Sequence, residues 1–119
     1  MSTPLVSVVI LNYRSPQQAV ACVQAFTQQT IAQQIEIIIV NNGSCDDSIG
    51  VLRNRLGNLS QVRIVETPHN LGFGGGYNYG ARYASAPYLL INNPAKILPP
   101  DGVERLVQKM RDDASIGIL

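Results

Sequence analysis

Residues 35–48 read IEIIIVNNGSCDDS. Five of the first six residues are Ile or Val, and the stretch then breaks into turn and cap residues. A short β-branched run with turn residues behind it predicts a buried strand, Ile35–Val40, that ends in a polar loop. Upstream, LVSVVIL at 5–11 has the same form and is followed by NYRS. Between them, Ser15 and Pro16 form a helix start, with Ser as N-cap and Pro at the first helical position. Ala19, Val20, Val23 and Phe26 then recur at helical spacing, which predicts a helix to about Gln29.

Downstream the alternation continues. Ile49, Val51, Leu52 and Leu56 mark a helical face stopped by Gly57 and Asn58. Val62–Val65 and Tyr88–Ile91 are the third and fourth strands, and Val103, Leu106, Val107 and Met110 line a last helix to about Asp112. Ile116–Leu119 has the composition of the start of a fifth strand. Strands apolar throughout, alternating with amphipathic helices, imply a Rossmann-like, open, mainly parallel sheet with helices on both faces. Its 119 residues suit one domain over 1–119.

In such sheets ligands bind beyond the carboxyl ends of the strands. Four polar or glycine-rich segments fall there: NYRS, NNGSCDD, PHNLGFGGGYN and NNPAK. The glycine segment, 70–80, is expected to be a loop leading into a helix from Tyr77 to Ala84. It fits neither G-x-G-x-x-G, because Tyr77 or Tyr79 stands at the third glycine, nor the P-loop, because Ala81 and Arg82 follow Gly80. Two readings stand: an anion site at a helix N-terminus, or close packing over the sheet.

Composition excludes other classes. Hydrophobic residues make up 45%, charged residues 14%, and net charge is +1, so there is no basic footprint for nucleic acid. No apolar run approaches the ~20 residues that span a bilayer. The Leu5–Leu11 run lacks a basic flank and a cleavage pattern, so the expected location is cytoplasmic, or peripheral to the inner membrane face through a partner. Cys22 and Cys45 lack metal or redox spacing and read as incidental thiols.

Taken together, these segments resemble the inverting family 2 glycosyltransferases of GT-A fold, in particular rhamnosyltransferase-like bacterial enzymes of polysaccharide synthesis. VSVVILNYRS resembles the family's first strand and its Asn-Tyr turn. IEIIIVNNGSCDDS resembles V-D-N-x-S-x-D-x-S. NLGFGGGYNYG, the most specific, resembles N-x-G-F followed by small residues and N-x-G. YLLINNPAKILPPDGVERLV resembles the segment that carries the metal-motif aspartate. The likeness covers nearly all of this chain and about the first half of a family domain.

The resemblance implies a UDP- or dTDP-sugar donor and a glycan or lipid-linked acceptor. It implies nucleotide contacts at Asn12, Tyr13, Asn41, Asp46, Gly72, Phe73 and Asn78, and places Asn93 and Lys96 at the metal-motif end. Asn41 stands where the family has an aspartate that accepts a base N–H. The metal-motif aspartate falls at Ala95, which cannot bind a hard cation, so a divalent metal is not expected. Lys96 could offset diphosphate charge instead; as a loop lysine it also reads as plain surface. Asp46, Asp47 and Asp101 precede helices and read equally as caps, and His69 as a solvated loop residue. The family's catalytic base lies in the absent half. Two functions follow: a nucleotide-sugar-binding transferase domain, or an inactive remnant serving as a nucleotide-binding or assembly module. An open sheet edge would favour a homo-oligomer or a covering partner chain.

Overall fold

The computed structural model describes residues 3–117. Four strands, β1 (Val6–Asn12), β2 (Ile35–Asn41), β3 (Val62–Glu66) and β4 (Tyr88–Asn92), form one sheet in the order β3-β2-β1-β4. All three pairings are parallel. The helices are α1 (Pro16–Phe26), α2 (Ser48–Leu56), α3 (Gly72–Ala81) and α4 (Gly102–Asp112), with a short 3-10 turn at Ala32–Gln34. The chain is thus an α/β protein with an open parallel sheet.

Alternation along the strands sorts the core into two layers. Val6, Val8, Ile10, Ile35, Ile37 and Ile39 face α1, α2 and α4, where Val20, Val23, Phe26, Leu52, Leu56, Val103 and Val107 meet them. Val9, Ile38 and Val40 face the other way and meet Tyr77 of α3. The central strands are sealed on both faces, which is why they read as unbroken apolar runs.

Several expectations are corrected. The 70–80 segment is a helix from Gly72, not a loop leading to a helix at Tyr77. Two of its glycines lie against the sheet. A Cβ on Gly76 would sit 2.5 Å from Leu11 Cδ1, and one on Gly80 would sit 2.6 Å from both Val9 Cγ1 and Val40 Cγ2. Close helix-on-sheet packing therefore accounts for these two. Gly72, at φ +78°, begins the helix in a conformation that L side chains rarely adopt.

Ser15 precedes α1 but makes no side-chain cap; its hydroxyl donates to the Tyr13 carbonyl. Asp101 likewise makes none. The first turn of α4 is capped from α1's end instead: Gln29 Oε1 accepts the Val103 N–H at 3.0 Å, and its Nε2 donates to the Pro99 carbonyl at 2.8 Å. Ile116 and Gly117 are not in a strand. The rest of the expected fifth strand, residues 118–119, lies outside the described residues.

Candidate functional site

Each strand of a parallel sheet delivers its last residue to the same edge. Here β1, β2 and β4 each end in asparagine: Asn12, Asn41 and Asn92, all buried. Three buried carboxamides at the end of an apolar sheet must find partners or cost stability. Their partners organise the loops beyond.

Asn12 and Asn41 are opposite one another in the β1–β2 register. Asn12 Nδ2 donates to Asn41 Oδ1 at 2.9 Å, and Asn12 Oδ1 accepts the Ser15 N–H at 3.1 Å. Ser44 Oγ donates to Asn41 Oδ1 at 2.7 Å and accepts the Arg14 N–H at 3.0 Å. Arg14 is left-handed, with φ 58°. Its Nε donates to the Ser44 carbonyl at 3.0 Å, and its guanidinium lies 5.2 Å from the centre of the Tyr13 ring. Tyr13 is 42% exposed, so the pair forms an aromatic and cationic rim above a buried amide floor.

Asn42 makes a second joint. Its Oδ1 accepts from Thr67 Oγ1 (3.2 Å) and the Leu71 N–H (3.0 Å); its Nδ2 donates to Asn70 Oδ1 (3.2 Å) and the Gly72 carbonyl (3.1 Å). All four of its hydrogen-bonding positions are used. Asn70 Oδ1 also accepts the Gly72 N–H at 2.8 Å. The N–H groups of Leu71 and Gly72 at the entrance of α3 are therefore taken by protein, which removes them from the anion-site reading. Gly43, at φ +64°, comes so close to the His69–Asn70 backbone that no Cβ would fit.

Asn92 makes the third joint. Its Nδ2 donates to the Asn93 and Lys96 carbonyls, both at 3.0 Å, and to Cys22 Sγ at 3.3 Å. Tyr77 Oη donates to the Asn92 carbonyl at 2.9 Å, tying α3 to the end of β4.

The residues expected from the sequence are thus placed unevenly. Asn12 and Asn41 are joined directly, Tyr13 rims them, and Gly72 is tied to β2 through Asn42. Asp46 is exposed; the nearby Ser48 hydroxyl, then the Ser48 backbone N–H that donates to its Oδ1 at 2.9 Å, and the positive charge of Arg14 lower its pKa from the ordinary carboxylate value. Phe73 is 65% exposed and lies edge-on to Tyr77. Asn78 is exposed, and its side chain makes no hydrogen bond to the other described residues. Asn93 turns its Oδ1 onto the Ala95 N–H at 2.8 Å, and Lys96 is exposed. Asn42, Ser44, Thr67 and Asn92 were not singled out from sequence. The NN doublets closing two apolar strands were their available signal.

The end of β4 and the loop after it, residues 92–98, carry no acidic side chain. Ala95 offers no oxygen ligand from its side chain, and no three His, Cys, Asp or Glu side chains converge as a metal-holding group among the described residues. A concavity of ≈ 590 Å³ lies elsewhere: an open apolar groove along β4 and α4, lined by Val6, Leu90, Val103, Leu106, Val107 and Met110 among others. Its lining has almost no polar chemistry, so the loop edge, not the groove, is the candidate site. Among the described residues no helix is long and apolar enough to cross a membrane.

Comparison with known proteins gives the family. The model of the family described as glycosyl transferase family 2 matches residues 7–119. Chondroitin synthase of Escherichia coli is 32% identical over 113 residues, 95% of this chain and 16% of that protein. Glycosyltransferase GlyG of Streptococcus pneumoniae is 30% identical over 115 residues, 96% of this chain and 38% of that protein. The chain therefore spans well under half the length of these relatives. Two solved structures share the fold. The mannosyltransferase PcManGT of Pyrobaculum calidifontis, in complex with GDP-Man and Mn²⁺, has a TM-score of 0.86 at 18% identity over 98% of this chain and 35% of that one. TarS of S. aureus, in complex with UDP-GlcNAc, has a TM-score of 0.78 at 14% identity over 91% and 31%.

Proposed function

Because this chain belongs to glycosyl transferase family 2, we propose that its 119 residues form the donor-binding domain of a sugar transferase. The donor is a UDP- or dTDP-linked sugar, and the acceptor a glycan or lipid-linked glycan, as in polysaccharide synthesis. The observation that carries this reading is the amide floor of Asn12 and Asn41, held by Ser44 beneath the exposed Tyr13 ring. It is a polar, hydrogen-bonded cluster at the sheet edge where ligands of this architecture bind.

In this reading Tyr13 offers its ring to the base, and the Asn41 amide meets the base edge. Asp46, ionised over the whole neutral range, is a hydrogen-bond acceptor for the ribose. The 93–96 loop receives the diphosphate. With no carboxylate at position 95, Lys96 and Arg14 supply the charge that offsets the phosphates, and binding proceeds without a divalent ion. The domain works in the cytoplasm, at the inner membrane face where its partner is membrane-bound. A second copy of the chain covers the β4 side of the sheet, where Leu89 and Ile91 are about half exposed.

An amide NMR titration with UDP and dTDP, each with and without Mn²⁺, tests the reading. Shifts clustered at 12–15, 41–46 and 72–73, tightened less than about tenfold (1.4 kcal/mol) by the metal, are expected. A folded spectrum that ignores both nucleotides at millimolar concentration refutes it. A strictly monomeric protein at tens of micromolar in sedimentation refutes the second copy.

A further inference from the structure

A backbone N–H can only donate, and two of them fix the polarity of the amide floor. The Ser15 N–H points at Asn12, so the Asn12 atom facing it is Oδ1, and Asn12 must turn Nδ2 towards Asn41. The Arg14 N–H and, at 3.4 Å, Asn12 Nδ2 both point at Ser44 Oγ and occupy its lone pairs, so that hydroxyl spends its proton on Asn41. Asn41 therefore receives two donors on one atom, which must be Oδ1. Its Nδ2 is left over. Asn41 is 6% exposed, yet that nitrogen has no protein partner among the described residues and is not sealed from solvent. A nine-tenths-buried amide thus keeps one hydrogen-bond donor that no described protein group takes and that solvent can reach.

We propose that Asn41 sets base specificity as a donor, and that the site accepts a pyrimidine diphosphate whose ring edge offers an acceptor. The inference rests on the donor-site reading above and widens its choice of base, adding a cytidine diphosphate to the uridine and thymidine donors named there. The N3 of uracil and thymine carries a proton and opposes Asn41 Nδ2; these bases can meet it only through a carbonyl. The N3 of cytosine is unprotonated and accepts. An aspartate at this position would do the reverse, since an ionised carboxylate only accepts. Bases are read at this edge by such pairings, so position 41 discriminates through the direction of one hydrogen bond. Cytidine diphosphate is expected to bind at least as tightly as uridine diphosphate.

Two substitutions invert the polarity by different routes. Asn41→Asp places an acceptor there directly and keeps both inward hydrogen bonds. Asn12→Asp leaves residue 41 intact: the new carboxylate still accepts the Ser15 N–H, but now offers Asn41 an acceptor, so the Asn41 amide turns over and shows Oδ1 to the ligand. The experiment is calorimetric titration of the full chain and both variants with CDP and UDP, with folding checked by amide spectra. In each folded variant the ratio Kd(CDP)/Kd(UDP) is expected to rise about tenfold, the usual scale of one mispaired hydrogen bond. A purely structural Asn41 would weaken both ligands equally and leave the ratio unchanged, which overturns the proposal. A native protein that prefers UDP over CDP by about tenfold also overturns it while leaving the donor-site reading standing. Failure of both nucleotides to bind at millimolar concentration removes both together.

Discussion

Replacing Gly80 by alanine tests how α3 is held. In an exposed helix the change gains up to about 1 kcal/mol, because alanine loses less backbone entropy. At Gly80 the new methyl would lie 2.6 Å from Val9 Cγ1 and Val40 Cγ2. Both valines are fully buried, and β-branched side chains have little rotamer freedom to yield. Overpacking of this kind costs about 1–3 kcal/mol. Gly80→Ala should therefore destabilise the protein by about 1 kcal/mol net. Gly74 lies in the same helix with nothing within 4 Å of its virtual Cβ, so Gly74→Ala should stabilise by up to about 1 kcal/mol. The two variants have the same composition, and the gap of about 2 kcal/mol between them isolates the packing contribution. Urea unfolding at unchanged m reads the gap directly. In thermal unfolding each kcal/mol corresponds to about 4–8 °C for a domain of this size. If Gly80→Ala proves as stable as Gly74→Ala, α3 does not sit on the sheet through its glycines, and the packing argument is wrong.

Asn42→Ala removes the acceptor of the Leu71 N–H and both donors to Asn70 and Gly72; a loss of about 2–4 kcal/mol is expected, and hydrogen exchange at Leu71 that stays unchanged would contradict it. Asp46 has its carboxyl held below the ordinary aspartate value by Ser48 and then Arg14; a folded value depressed below the unfolded one adds stability above the unfolded value and loses it as pH falls through the folded one. Carboxyl NMR should therefore give a midpoint below the unperturbed value of about 3.9, and Asp46→Asn should flatten the acid limb of the stability curve below about pH 4. Cys45 is exposed, whereas Cys22 is buried and burial raises its thiol pKa. Iodoacetamide should label Cys45 alone in the native state and both after unfolding, and native labelling of Cys22 detected by mass spectrometry would show that the α1–β4 contact opens.

The parts of this fold that could be read from sequence are those where one physical force dominates. LVSVVIL and IEIIIV are buried on both sides, so their composition states their environment. The glycine segment was harder because two forces oppose there. Helix propensity argues against a helix in GFGGGYNYGA, while the lack of side chains at Gly76 and Gly80 is what lets this helix rest on Leu11, Val9 and Val40. Tertiary packing decided, and packing partners far away along the chain leave no local trace. The site shows the same division. Asn12 and Asn41 were visible as polar residues ending apolar strands, but Asn42 acts through the distant 70–72 segment and Asn92 is joined to Cys22 of α1 and Tyr77 of α3, far along the chain. Gln29 as the cap of α4 was illegible for the same reason: Asp101 occupied the expected position, and the group that replaced it comes from beyond the end of another helix.

The joint at Asn92 bears on how such a site can change over time. The Asn93 and Lys96 carbonyls are held from beneath by the Asn92 amide, and the Ala95 N–H is held by Asn93. The path of the 93–96 backbone is therefore set by residues other than Ala95, whose own side chain is exposed and bears on no neighbour's hydrogen bonds. A carboxylate could be gained or lost at that position with the scaffold indifferent to it. On the proposed reading of the 93–96 loop as the phosphate end, cation-using and cation-free forms stand one tolerated substitution apart, and drift between them needs no passage through an unstable ancestor.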